Sequence, residues 1–343
     1  MLKEIILLVD YKKQFGSKFD AVPYRSGMNI EKILHYFRLF EYDIKILPFN
    51  EIDFKNNYHQ KVILYTSSED PGLFYKNYIE DVILALEING AIVIPSFKYL
   101  RANNNKVFME MIRNQSNDSK INSIHSNHFG TLEEFLESTN HLTYQYPLVI
   151  KPADGSMSRG VGLAKNLREA ERLIKKISRV FNLYDDLWEL GRSIKHKGYK
   201  QTSKNRKKFI VQNYIDRLKN DWKILIFGDK YYVLKRLNRE NDFRASGGGR
   251  LQFTKTLPEG LLDFAESIFD ILDLPYLSLD IAYDGFSFHL FEFQAIHFGT
   301  YTLNYSGFYF KKSGDSWNII DEKSDLEKTY VESIIRFINE KNF

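Results

Sequence analysis

The 343-residue chain contains no cysteine. That excludes a disulfide framework, a thiolate nucleophile and any metal site built on sulfur. It suits a reducing cytoplasm, the compartment expected here, although exported proteins can share the trait. Long apolar runs are missing as well. The stretch Ile5 to Val9 within MLKEIILLVD is too short for a signal sequence, and no small-residue cleavage site follows it. Nothing approaches the length needed to cross a bilayer, so no membrane partner is expected. A strong charge of one sign is also lacking: 48 Lys and Arg face 44 Asp and Glu, a net charge of +4. That balance does not by itself imply nucleic acid. There is no internal repeat and no Pro- or Ser-rich linker.

Aromatic residues, by contrast, are plentiful. The 27 Phe and 22 Tyr supply rings for cores and pockets. With 43% hydrophobic and 27% charged residues, the composition is that of a soluble globular protein, long enough for two or three domains. Strand and helix patterns alternate over residues 1–100. IILLV is an all-apolar run of the kind buried on both faces, and Ile33, Leu34, Phe37 and Phe40 recur at helical spacing. DIKILPF, KVILYT and AIVIPS add strands around a helix from Tyr75 to Ile88, which predicts a small parallel α/β domain. Asn103 to Arg113 reads as a capped helix, TLEEFLEST as a short one, and Asn166 caps a third. Residues 180–208 break the pattern. Their basic run RSIKHKGYKQTSKNRKK holds no acid and admits three readings: a solvated mobile loop, a flap over an anionic ligand, or a nucleic-acid arm. From Phe209 the chain looks antiparallel: FIVQNYI, then DWKILIFGDKYYVLKRL turning at Gly228-Asp229. A helix over Glu259 to Leu272 precedes a last hairpin, LSLDIAY with FSFHLFEFQ, and a C-terminal helix spans Leu326 to Asn339.

Three constellations carry candidate chemistry. The first is KPADGSMSRGVG, Lys151 to Gly162, which follows the apolar strand YPLVI. It has neither P-loop nor dinucleotide-fold spacing. Its glycines still let backbone approach a phosphate, and its serines and free N–H groups can bond phosphate oxygens. The second is the charged set on the central strands. Asp221 and Lys223 share a face, whereas Lys235 and Arg236 point to opposite faces. The third is the last hairpin. Leu277, Leu279, Ile281, Phe291 and Phe293 share one face if Leu279 lies opposite Phe291 or in a register of the same parity. That parity excludes a two-residue Asp284-Gly285 turn and favours a three- or five-residue loop. Asp280, Glu292 and Gln294 then fall together on the other face, an oxygen-donor set suited to Mg²⁺.

In this order the motifs resemble the ATP-grasp superfamily, and most nearly its glutathione-synthetase-like and ribosomal-protein glutamate ligase branches. The resemblance runs from Lys106 in NNNKVFME through KPADGSMSRGVG, FIVQNYI, DWK, LKR and DFRAS to Asp280 with EFQ. It implies an N-terminal parallel α/β domain followed by an ATP-grasp fold, two α+β subdomains holding ATP between antiparallel sheets. The implied division is 1–100, 101–208, 209–320 and a C-terminal helix in 321–343. Lys106 and Lys151 would bind the α- and β-phosphates, with Gly155, Ser156, Ser158, Arg159 and Gly160 closing over the β/γ end. Gln212, Tyr214 and Ile215 would line the adenine, largely through backbone, with Asp216 near the ribose. Asp280, Glu292 and Gln294 would hold one or two Mg²⁺, for which Mn²⁺ can substitute. Lys223 and Arg236 would face the transferred phosphoryl group, and Arg244 the acceptor.

The implied activity is a Mg²⁺- and ATP-dependent ligase joining a carboxylate to an amine through an acyl phosphate. A kinase on the same fold and a non-catalytic ATP-binding protein are the alternatives. Expected partners are small-molecule or peptide carboxylates and amines, anionic ones if the basic stretch is a flap, and a second copy of the chain. Nucleic acid is not the expected partner. The sequence departs from the family at Asn213, where a Glu is usual, at Gln294 in place of Asn, and in the glycine-rich ASGGGR after DFR. His297 presents itself either as a base or as a structural residue of the aromatic tail.

Overall fold

The computed structural model describes residues 3–155, 159–238, 244 and 249–343. The chain divides into two compact units, Met1–Asn103 with Leu218–Phe343, and Asn104–Arg217. The first begins with β1 (Lys3–Val9), α1 (Ile30–Leu39), β2 (Tyr42–Pro48), β3 (Val62–Tyr65), α2 (Phe74–Ile88), β4 (Ile92–Ile94) and α3 (Phe97–Ala102). Its strands form a parallel sheet in the order β2-β1-β3-β4. Burial on both faces of β1 explains the arrangement. Ile5, Leu7 and Val9 join a core with Ile33 and Phe37 of α1, while Ile6 and Leu8 join another with Ile79, Ile83 and Leu86 of α2. Each of these side chains contributes roughly 1.5–3 kcal/mol by leaving water.

The second unit carries α4 (Lys106–Gln115), β5 (Ser126–Phe129), α5 (Leu132–Ser138), β6 (Leu148–Pro152), β7 (Gly162–Ala164), α6 (Leu167–Ser178), α7 (Leu183–Lys195) and β8 (Phe209–Asn213). The sheet is antiparallel, ordered β5-β8-β6-β7. Leu148, Ile150, Phe209 and Val211 fill one face with Phe135 of α5 and Ala170 and Ile174 of α6. Ile210 packs on the other face with Val107 of α4. Helix starts follow capping chemistry: Asn105, Asn166 and Asn182 each accept a hydrogen bond from the first turn, and Thr131 with Glu134 forms a capping box. Two expectations change here. The boundary expected at 208/209 moves to 217/218, because FIVQN is the inner strand between β5 and β6. The patternless stretch 180–208 contains α7.

The chain then returns to the first unit with β9 (Asn220–Phe227), β10 (Lys230–Leu237), β11 (Leu251–Gln252), α8 (Leu261–Leu272), β12 (Tyr276–Tyr283), β13 (Phe288–Gln294), α9 (Tyr301–Tyr305), β14 (Tyr309–Ser313), β15 (Ser316–Ile320) and α10 (Leu326–Lys341). The strands pair antiparallel in the order β13-β12-β9-β10-β14-β15, with β11 also on β10. Lys230 faces Phe227 across the expected Gly228-Asp229 turn, where Gly228 has φ +57°. The hairpin β14–β15 lies in and beyond the stretch read only as an aromatic tail. Nor does α10 stand apart as a segment 321–343. Its apolar side, Tyr330, Val331, Ile334, Ile335 and Ile338, completes the core over Ile5, Leu7 and Val9. Asn29 N–H and Lys18 Nζ, each at 2.9 Å, donate to Glu327 in its first turn. Among the described residues, no helix is long and apolar enough to cross a membrane.

Candidate active site

The last hairpin gathers the candidate metal ligands of the first unit. Leu279 pairs with Phe293, Asp280 with Glu292, and Ser278 with Gln294. This is the predicted parity, reached by a different route. The connection from Tyr283 to Phe288 holds four residues, not three or five, and a bulge after Asp280 restores the alternation. Asp284 closes the loop: its Oδ1 accepts from Phe286 and Ser287 N–H, both at 2.8 Å, and its Oδ2 lies 2.8 Å from His289 Nε2. Asp280, Glu292 and Gln294 therefore share a face away from buried Leu277, Leu279 and Ile281.

Strands β9 and β10 extend that face. Asp280 pairs with Lys223, and Asp221 with Arg236. Further along the same side of β9 come Leu225 and Phe227, which belong to the apolar core. The face thus changes from hydrocarbon to ions within one strand, while Trp222, Ile224 and Ile226 line the reverse. Lys235 points to the reverse side too, its Nζ 5.4 Å from the Trp222 ring centre.

The ionic end is tightly organised. Arg236 donates through Nε to Asp221 Oδ1 at 2.6 Å and through Nη2 to Asp221 Oδ2 at 2.8 Å, and Nη2 also lies 2.8 Å from Asp280 Oδ2. Lys223 Nζ donates to Ser278 Oγ at 2.9 Å and sits 3.6 Å from Asp280 Oδ1. Arg236, expected to face a phosphoryl group, grips two carboxylates. Burial disfavours charge on the guanidinium, but Asp280 and Asp221 more than offset it, so Arg236 holds its proton above its ordinary range. Burial also pushes Asp280 up, yet Arg236 and Lys223 win and keep it below the usual carboxylate value. Asp221 is the reverse case: burial outweighs Arg236 and raises it.

One atom bears on metal binding. Asp280 Oδ1 is buried and accepts no hydrogen bond among the described residues; Lys223 Nζ stands 3.6 Å away, beyond hydrogen-bond reach, so the oxygen can still take a metal ion. Gln294 Nε2 donates to Glu292 Oε1 at 3.0 Å, which leaves the Gln294 carbonyl oxygen as a donor to a metal. Two carboxylates and an amide oxygen fit a hard divalent cation. Among the described residues no group of three or more His, Asp or Glu gathers into a metal site.

The second unit carries candidate residues of its own. Lys151 pairs with Ile210, and Ile210 packs with Val107 and Ala153, so Lys151 shares the sheet face that carries α4. Three contacts clasp the glycine loop at its entry. Lys106 N–H donates to Ala153 O at 2.8 Å, Lys106 Nζ to Gly155 O at 2.9 Å, and Gly155 N–H to Asn104 Oδ1 at 2.8 Å. Asn104 is a loop residue that sequence reasoning missed; its only signal was the asparagine run before Lys106. Gly155 has φ +106° and is exposed, as is Arg159. Gly160 has φ +73°, and a Cβ there would sit 3.1 Å from Pro152 Cγ, so glycine is required. Ser156 and Ser158 lie outside the described residues.

Gln212 is committed elsewhere. Its side chain is buried and its Nε2 donates to Glu110 Oε1 at 2.9 Å, while its strand position is flanked by both Ser126 and Val149. Strand β8 ends at Asn213, so Tyr214 and Ile215, both half-buried, lie beyond the ladder, and Asp216 is exposed. Arg244 is half-buried. His297 takes φ +52° and lines a cavity of about 40 Å³ with Tyr65, Thr66, Thr300 and Tyr330, room for little more than a few waters. Burial holds its imidazole below the ordinary value, and its Nδ1 has no hydrogen-bond partner.

No family model matches the sequence, and no curated protein does. Solved structures do match. D-cycloserine synthetase DcsG aligns over 97% of this chain and 99% of its own, with a TM-score of 0.54 at 12% identity. D-alanine–D-alanine ligase from Bacillus anthracis aligns over 99% and 100%, with a TM-score of 0.53 at 12% identity. The chain has the ATP-grasp fold, the class that its motif order resembles.

Proposed function

We propose that the protein is an ATP-dependent ligase joining a carboxylate to an amine. The observation that carries this reading is the row Asp280–Glu292–Gln294, with a buried carboxylate oxygen left without a hydrogen bond on a fold shared with two named ligases. A carboxylate does not form an amide readily at neutral pH, because oxide is a poor leaving group. Transfer of the γ-phosphoryl group from ATP breaks the bond to the β-phosphate bridging oxygen and forms one to the carboxylate oxygen. The amine then attacks the acyl carbon, the C–N bond forms, phosphate departs, and the ammonium proton passes to solvent or a base. No side-chain nucleophile is needed, which agrees with a chain that has no cysteine.

The residues have distinct tasks in this scheme. Lys106 and Lys151 would pair with phosphate oxygens, and the Gly155–Gly160 backbone would approach them closely. Lys223, steadied by Ser278, would supply positive charge to the transferring phosphoryl group. Arg236 would position Asp280 by holding one oxygen and leaving the other without a hydrogen bond, available to a metal ion. Asp280, Glu292 and Gln294 would hold Mg²⁺, which neutralises charge on the phosphates when bound. The acceptor would be anionic if the basic stretch 192–208 reaches it.

The test is isotopic. The purified protein is given ATP, candidate amines and carboxylates labelled with ¹⁸O. A ligase moves one label into inorganic phosphate for each amide formed. A phosphorylated acceptor that accumulates with no free phosphate would identify a kinase and overturn this reading.

A further inference from the structure

Helix α7 is inside out. Its 13 residues, LYDDLWELGRSIK, include no buried one. Leu183, Leu187, Leu190 and Ile194 are 63%, 68%, 52% and 79% exposed. Meanwhile the polar side turns to its own unit. Glu189 accepts from Arg192 Nη1 and Thr202 N–H, both at 2.8 Å, and from the Tyr199 hydroxyl at 2.9 Å. Asp186 lies 3.6 Å from Lys204 Nζ. An ordinary surface helix does the opposite. The neighbouring chain is tied down: Val180 N–H donates to Lys204 O at 2.9 Å, Lys207 N–H to Ser178 O at 3.0 Å, and Ser203 Oγ to Glu133 at 2.7 Å. The outward face is therefore a built surface.

Its spacing says what covers it. Leu183, Leu187, Leu190 and Ile194 recur every four, three and four residues, the a/d seam of a coiled coil, which is completed by another helix and not by a flat surface. We infer that the occupant is α7 of a second copy, packed antiparallel about a two-fold axis between Trp188 and Glu189. That axis sets Leu183 against Ile194 and Leu187 against Leu190 of the second copy, so the seam is complementary to itself. It also brings Tyr184 alongside Gly191, a ring against a residue with no side chain and nothing within 4 Å of its Cβ position. Asp186 falls beside Ser193 in the same arrangement. Parallel packing would instead set Tyr184 against Tyr184 and Asp186 against Asp186.

A helix of 13 residues is about 20 Å long. One helix pair of that length buries less than the roughly 800 Å² per partner of a standard interface, so the dimer is weak, with a dissociation constant in the micromolar range. Sedimentation velocity between about 1 and 100 µM should show the dimer fraction rising for the wild type. Leu187→Asp, at an exposed position, should remain monomeric throughout with unchanged circular dichroism. Because the chain has no cysteine, the register can be trapped. Leu183→Cys mixed with Ile194→Cys should form a disulfide dimer under mild oxidation, and neither variant alone should. A wild type that stays monomeric overturns the inference, even if it sediments with lipid vesicles or binds another helix. So does a Leu187→Asp dimer as strong as the wild type, or a single-cysteine variant that cross-links by itself.

Discussion

Two arginines are buried among carboxylates, one in each unit, and their surroundings differ in one respect. Arg113 donates through Nε to Ile121 O and through Nη1 to Glu110 Oε1, both at 3.0 Å. Glu110 is saturated in turn, accepting also from Gln212 and Ser126. Burial dominates there and lowers the arginine, since a single carboxylate opposes it. Arg236 serves two carboxylates, which raise it despite the burial. One of these, Asp280, keeps an oxygen that accepts no hydrogen bond among the described residues and has Lys223 Nζ 3.6 Å away. Each network keeps one buried polar atom without a hydrogen bond, Arg113 Nη2 in the first and Asp280 Oδ1 in the second; the first is a donor that cannot take a metal ion, whereas the second is a carboxylate oxygen that can.

The comparison predicts mutants that separate stability from activity. Glu110→Ala should have the largest effect, leaving Arg113 buried without its charge partner and costing about 3–5 kcal/mol in urea or thermal unfolding. Asp280→Asn keeps the shape but removes the charge. It should cut ATP-dependent turnover by about 100- to 1000-fold while the melting temperature stays within a few degrees of wild type. A variant that loses stability and keeps activity would reverse the roles assigned to the two networks. The smallest effect is Arg236→Lys, which loses the two-pronged grip on Asp221 and lets Asp280 turn. Turnover should fall by about 10-fold with the KM for ATP nearly unchanged. An equal change in Arg113→Lys would show that the distinction is wrong.

Some of this was legible in the residues and some was not. β1 was readable because an all-apolar run has only one economical place, between two helix layers. The hairpin was readable because burying Leu277, Leu279, Ile281 and Phe293 on one face fixes the register parity, which puts Asp280, Glu292 and Gln294 on the other. Its loop length was not, because a bulge adds a residue without leaving a mark on the pattern. α7 was hidden by its reversed polarity: its apolar side is exposed among the described residues, and its basic tail reads as loop. The side-chain partner of Gln212 was hidden for a related reason. Its partner Glu110 lies on a helix about a hundred positions earlier, and no local pattern links them. The grip of Arg236 on Asp221 was hidden as well, because the two meet across paired strands.

The central claim is that the oxygen row on β12 and β13 serves a magnesium nucleotide. The most direct measurement is calorimetric titration of ATP with Mg²⁺ into the wild type and into Glu292→Ala. Micromolar binding by the wild type, weakened at least about 10-fold in the variant and lost on chelation of the metal, is the predicted result. A folded wild type that binds no ATP, or a Glu292→Ala variant that binds it equally well, would contradict the account.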